Sequence, residues 1–268
     1  MSLLIVPIDY SANAEKALDA ALLLAYRTGS QVELLHVIDL TAFSGMPKIL
    51  EMVMNDRKEE EAKLKSLALQ RIAALGTGPG IRWRVKVLYT DSFLNGVLNR
   101  FGKAKAKLVV MGTHGVTGMA DKIFGSNTAN LIGRAKVPVL AIPPLWSPSV
   151  LQKLSVCATP EQLSRHGKLA SKWGDWLKCE TEAFYITALP FTGQGAKSPI
   201  PFKIVPSPIE TPLYEDLVEY SKGLKDEALL MFVHERSFFD KIFDASITEK
   251  VAGLVQIPLL ALPVEEKE

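Results

Sequence analysis

The sequence predicts an α/β protein made of two tandem, doubly wound parallel sheets of five strands each, related by a pseudo-twofold axis. Three observations predict it. Short apolar runs alternate with amphipathic stretches of helical period, which is the grammar of β-α-β crossovers and parallel pairing. The segment Val-Pro-Val-Leu-Ala-Ile-Pro at 137–143 returns as Ile-Pro-Leu-Leu-Ala-Leu-Pro at 257–263, a shift of 120 residues that marks an internal duplication. The chain has 268 residues, and at roughly 150 residues per domain that length suits two domains.

The first half reads in order. Leu3-Leu4-Ile5-Val6-Pro7 is apolar without alternation, as in a strand covered on both faces. Asp9-Tyr10-Ser11 supplies turn and N-cap chemistry for an Ala- and Leu-rich helix over 12–26, closed by Gly29-Ser30. Residues 31–38 form a second buried strand. Residues 49–75 have the charge and period of one long amphipathic helix, with 57–61 on its wet side, stopped by Gly76-Thr77-Gly78-Pro79-Gly80. A strand over 81–88, a helix over 93–102, a strand over 108–111, a helix over 128–135 and a strand over 138–142 complete the half. Lys103, Lys105 and Lys107 precede the fourth strand and read as a solvated face.

The second half repeats the pattern, with strands over 154–158, 182–187, 202–205, 228–233 and 259–262 and helices over 161–177 and 213–223. Where the first half has its long helix, the second has only 190–201, rich in Gly and Pro, so this copy is expected to lack that element. The expected domains are 1–143 and 151–268, joined by a linker over 144–150 that contains Pro and Ser.

Composition narrows the function classes. The chain is 48% hydrophobic and 22% charged with 2 cysteines, which excludes a disordered chain or a disulfide scaffold. No apolar stretch reaches the ~18 residues of a membrane span, and the N-terminus lacks a basic secretory n-region. Cys157 and Cys179 lie outside any CxxC spacing and read as inert, so a reducing cytoplasm is expected. Residues 1–143 carry 18 Lys and Arg against 12 Asp and Glu, and residues 144–268 carry 13 against 17, so a basic half adjoins an acidic one. No basic cluster interleaves with aromatics, so neither nucleic acid nor membrane is an expected partner.

One motif carries chemistry. After the fourth strand come Gly112, Thr113, His114 and Gly115, then nine residues, then Gly125-Ser126-Asn127-Thr128 opening a helix. In an open α/β sheet, ligands bind outside the carboxyl ends of the strands where the strand order reverses. Glycines there admit close backbone approach, and a helix N-terminus with hydroxyls offers donors to an anion. Together they describe a polyphosphate cradle, although neither a Walker A loop nor GxGxxG is present.

With these residues the chain resembles the universal stress protein family. The family's G-x2-G-x9-G-[ST] is matched by Gly112, Gly115, Gly125 and Ser126. Its opening Pro-x-Asp-x-Ser is matched by Pro7, Asp9 and Ser11, and its His-Val strand end by His36 and Val37. The resemblance implies Rossmann-like domains of the adenine nucleotide alpha hydrolase type that bind ATP, or ADP or AMP, with Mg²⁺ on the phosphates. It implies that Pro7, Ile8, Asp9 and Val37 hold the adenine and ribose end, chiefly through the Asp9 carboxylate and the main chain of Ile8 and Val37. Gly112, His114 and Gly115 would flank the ribose and phosphates, and Gly125, Ser126, Asn127 and Thr128 would grip the phosphates. It also implies that the two halves pair through their last strands, and that whole chains associate further as a homodimer.

The second copy lacks the signature. The 120-residue shift puts Phe232 at Gly112, Glu235 at Gly115 and Ala245 at Gly125, with only Ser246 retained, and Asp9 falls on Thr159. A Glu and a Phe in a phosphate cradle repel charge and fill space, so nucleotide is expected in the first half only. His36 reads as structural, and His166 and His234 have no metal-ligand spacing. No catalytic signature accompanies the cradle, so a stress-response regulator with at most slow hydrolysis is expected. A nucleotide-free interaction module and a slow ATPase or phosphotransferase stay open as alternatives.

Overall fold

The computed structural model describes residues 1–43, 45–77, 80–113, 126–134, 137–188, 198–207, 211, 213–234 and 255–265. The first half runs β1 (Leu3–Pro7), α1 (Ala12–Thr28), β2 (Gln31–Asp39), a single 3-10 turn (Leu40–Phe43), α2 (Pro47–Asn55), α3 (Arg57–Leu75), β3 (Arg82–Thr90), α4 (Phe93–Ala104), β4 (Leu108–Gly112), α5 (Ser126–Arg134) and β5 (Val139–Ile142). The second runs β6 (Lys153–Cys157), α6 (Pro160–Leu177), β7 (Glu180–Thr187), β8 (Phe202–Pro206), α7 (Leu213–Ser221), β9 (Glu227–His234) and β10 (Leu259–Val264).

The ten strands of the described residues join one sheet in the order β3-β2-β1-β4-β5-β10-β9-β6-β7-β8. Pairing is parallel within each half. At the centre β10 runs antiparallel to β5, with Leu259 opposite Ala141, Leu260 opposite Leu140 and Ala261 opposite Val139. The halves are thus mirror-ordered, the α/β architecture of two doubly wound five-stranded sheets. In the first half α1 and α3 cover one face with Leu4, Val6, Val32 and Leu34, while α4 and α5 cover the other with Ile5, Leu35, Val109 and Met111. β1 and β4 are neighbours whose following helices leave on opposite faces, so the crevice beyond Pro7 and Gly112 is the topological switch point. β6 and β9 form its counterpart.

Local chemistry explains the elements. Ser11 caps α1 by accepting the Ala14 N–H at 3.1 Å, and Arg27 sits in the last turn where the helix dipole favours a cation. Thr159 caps α6 in a full capping box with Gln162, just ahead of Pro160. The long helix expected over 49–75 is two helices. Asp56, at φ −80° and ψ 7°, separates them, and Asn55 and Asp56 are among the weaker helix formers. In the second half no strand or helix is described between β7 and β8. Pro199 packs onto α6 there, where a Cβ on Gly167 would stand 2.7 Å from its ring.

The halves share both hydrophobic layers. Arg27 donates to the carbonyls of Leu151 and Lys178, Lys16 to that of Pro144, and Trp146 is buried in the common core. Lys107 departs from its expected solvated face. Its ammonium lies 4.4 Å from the ring centre of Trp176 and 5.2 Å from that of Trp173, and burial pushes its pKa below the ordinary lysine value. Among the described residues no helix is long and apolar enough to cross a membrane.

Candidate functional site

Four residues, Ile8 to Ser11, lead from β1 into α1. The Ile8 N–H donates to the Leu35 carbonyl at 2.9 Å, and the Ile8 carbonyl accepts from Nδ1 of His36 at 2.7 Å. Asp9 is exposed, and its Oδ1 accepts the Ser11 N–H at 3.0 Å, an Asx-type turn. Tyr10 adopts φ 62°, the left-handed region that a non-glycine residue rarely occupies. Ser11, not Asp9, is therefore the helix cap, and Asp9 shapes the turn ahead of it. Val37 lies on the opposite face of β2 from His36, packed in the α4-side core.

Gly112 ends β4 under the first turn of α1. A Cβ there would stand 2.6 Å from Nδ2 and 2.9 Å from the main-chain oxygen of Asn13, so helix packing alone demands glycine. The Gly112 carbonyl accepts the Thr128 hydroxyl at 2.8 Å, and Thr128 is buried. That bond ties the first turn of α5 to the strand end. Ser126 opens α5, Asn127 is exposed, and no acidic residue stands in the first turn. His114, Gly115 and Gly125 lie outside the described residues. The structure thus gathers Pro7, Ile8, Asp9, Gly112 and Thr128 around the carboxyl ends of β1 and β4.

One functional candidate was not legible in the sequence. Glu60, on the stretch read as the wet side of the helix, turns inward with a side chain 17% exposed. Its Oε2 accepts the Tyr10 hydroxyl at 2.9 Å and lies 4.0 Å from Nε2 of His36, and Oε1 meets Nζ of Lys63 at 2.9 Å. The Tyr10 and His36 rings pack with centroids 5.1 Å apart. This cluster borders a cleft of about 510 Å³ floored by Leu67 and flanked by Gln70. Burial, then the bond to Glu60, pushes the Tyr10 phenol well above its ordinary pKa. Burial pushes the Glu60 carboxyl up, but Lys63, Tyr10 and His36 outweigh it and hold the group below the ordinary carboxylate value.

Strand register fixes the equivalent positions of the second half. The Ala158 N–H donates to the Phe184 carbonyl at 3.1 Å, as Ile8 does to Leu35, and Gly112 pairs with Ile142 as Phe232 pairs with Leu262. Thr159, the residue after Ala158, is already the cap of α6, so the turn that carries Asp9 and Tyr10 is two residues shorter there. Phe232 is 7% exposed and packs its ring 5.3 Å from that of His166. The register of β6 and β7 sets Tyr185 where His36 stands. Glu235, Ala245 and Ser246 lie outside the described residues.

Comparison with known proteins agrees with this architecture. The profile of the universal stress protein family matches residues 2–143. A universal stress protein of Methanocaldococcus jannaschii is 28% identical over 149 residues, 52% of this chain and 80% of that protein. One of Bacillus subtilis is 26% identical over 149 residues, covering 52% of this chain and 97% of the relative. The crystal structure of a universal stress protein from Archaeoglobus fulgidus overlays 97% of this chain and 98% of its own, with a TM-score of 0.69 at 15% identity, a likeness of fold. With more than half of its length matched by the family profile, the chain belongs to the universal stress protein family.

Proposed function

We propose that this protein is an adenine-nucleotide-binding regulator of the stress response, with ATP held by residues 1–143 alone. The observation that carries the reading is the asymmetry between the two switch points. The first offers a four-residue turn with the exposed Asp9 carboxylate, and the second goes straight into a helix cap and carries Phe232 in place of Gly112. Asp9 and the main chain of Ile8 and Val37 hold the adenine and ribose end. Gly112, His114 and Gly115 flank the ribose and phosphates. Gly125, Ser126 and Asn127 receive the phosphates at the N-terminus of α5, whose first turn carries no acidic residue. Thr128, its hydroxyl engaged by Gly112, contributes its main-chain N–H. Mg²⁺ rides on the phosphates of the nucleotide, as a hard cation bound chiefly through phosphate oxygens does. We further read the β5–β10 contact as the pairing of two domains within one chain.

Isothermal titration with Mg²⁺–ATP tests this. The expected result is one equivalent per chain, lost in the Gly115→Glu/Gly125→Asp double variant and weakened about tenfold by Asp9→Ala, as for loss of one charged hydrogen-bond acceptor. Two equivalents, or none at millimolar ATP, would overturn it.

A further inference from the structure

We propose that Glu60 of α3 is a positioning residue for the nucleotide loop, holding Asp9 in place by anchoring its neighbour Tyr10. The proposal rests on the nucleotide reading above for its functional consequence, but its structural core stands apart from that reading.

On one side of Asp9, the Tyr10 hydroxyl donates to Glu60 Oε2 at 2.9 Å. On the other, the Ile8 carbonyl accepts from Nδ1 of His36 at 2.7 Å. A carbonyl cannot donate, so Nδ1 carries the proton and Nε2 is the nitrogen turned toward the same Glu60 oxygen, 4.0 Å away. The carboxylate is itself fixed by Lys63 at 2.9 Å and holds the loop through Tyr10, while His36 supports Ile8 separately, because an unprotonated Nε2 4.0 Å away makes no hydrogen bond to it. Burial and the shifts already described keep Tyr10 a donor and Glu60 a carboxylate at neutral pH.

The loop needs such an anchor. Tyr10 sits at φ 62°, a left-handed conformation that a residue with a Cβ adopts only at a cost. Holding the phenol from α3 keeps that conformation populated, and it is the one in which Asp9 Oδ1 meets the Ser11 N–H. The second half serves as an internal control. Its turn is two residues shorter, leaving no counterpart of Tyr10, and Tyr185 occupies the His36 position. Anchor and Asp9 occur together in one half and are missing together from the other.

The test uses the full chain with Glu60→Ala, Glu60→Gln and Tyr10→Phe, read by hydrogen exchange of the Ser11 amide without nucleotide and by ATP affinity. Glu60→Ala and Tyr10→Phe are expected to speed Ser11 exchange and weaken ATP about tenfold each, the effect of losing one charge-assisted hydrogen bond. Glu60→Gln, whose amide oxygen still accepts from Tyr10, is expected to restore most of both. Unchanged Ser11 exchange in Glu60→Ala overturns the proposal, and so does Glu60→Gln behaving like Glu60→Ala. A wild-type chain that takes up no ATP overturns the nucleotide reading instead, while the exchange measurement still decides whether Glu60 sets the loop.

Discussion

The Thr128 hydroxyl donates to the Gly112 carbonyl at 2.8 Å, joining the helix that opens after the glycine motif to the strand that precedes it. Thr128 is buried, so its hydroxyl has no water to fall back on, and the bond itself is part-buried. Thr128→Val preserves shape and removes the donor. It is expected to cost about 1–3 kcal/mol of stability for the stranded carbonyl, read as a lower urea midpoint at unchanged slope. Thr128→Ser retains the hydroxyl and should lie much nearer wild type.

Glu33 gives the chain an acid-sensitive joint. It is fully buried on β2 and bound by Arg84 of β3 and by Arg100 of α4, the latter through Nε at 2.6 Å. Burial pushes its carboxyl up, but the two guanidinium groups outweigh that and hold it below the ordinary 4.5. A carboxyl depressed in the folded state adds stability that is complete above its unfolded pKa and lost as pH falls through the folded one. Stability should therefore be flat from pH 7 to about 5 and decline below about 4.5, where Glu182, also lowered, acts with the same sign. Glu33→Gln is expected to cost about 2 kcal/mol at pH 7, less than the ~3–5 of a fully buried pair because Arg84 is 42% exposed. It should also flatten the acid limb. A urea-midpoint series across pH for both proteins decides this.

The strands were legible in the sequence because a run such as Leu3 to Pro7, buried on both faces, cannot be anything that water touches. The cap ahead of α1 was legible because Asp9-Tyr10-Ser11 carries its own turn and capping chemistry. What escaped involved partners distant in the chain. Glu60 sits in a run of charges, and only the fold brings it to a tyrosine 50 positions earlier. Lys107 looked solvated because the two tryptophans that cover it belong to the other half. The break at Asp56 escaped although the mostly apolar α2 gives way there to the highly charged start of α3.

Lys107 couples the halves. Its ammonium over Trp173 and Trp176 is worth about 1 kcal/mol as a partly desolvated cation–π contact. Lys107→Ala is expected to lower the thermal midpoint by a few degrees, about 2–4 °C for a chain of this size, and to alter tryptophan fluorescence. Lys107→Arg should keep the fluorescence, because a guanidinium stacks on indole as well.

Gly112 and Phe232 occupy equivalent register positions, and opposite substitutions there should both destabilise, for opposite reasons. At Gly112 the added Cβ of Ala meets the side chain and the main-chain oxygen of Asn13 within 3 Å, and the main chain cannot rotate away. Gly112→Ala therefore forces α1 off β4, at about 1–3 kcal/mol for overpacking, and should weaken ATP as the strand end moves. At Phe232 the ring is part of the core, so Phe232→Ala leaves a cavity costing about 3–5 kcal/mol. Because the turn before α6 still lacks an Asp9, that cavity should gain no affinity for ATP. Denaturation midpoints with ATP titrations of the two variants separate these outcomes. Acquired ATP binding by Phe232→Ala would mean that Phe232 alone excludes nucleotide from the second half, and that the shortened turn is not what decides it.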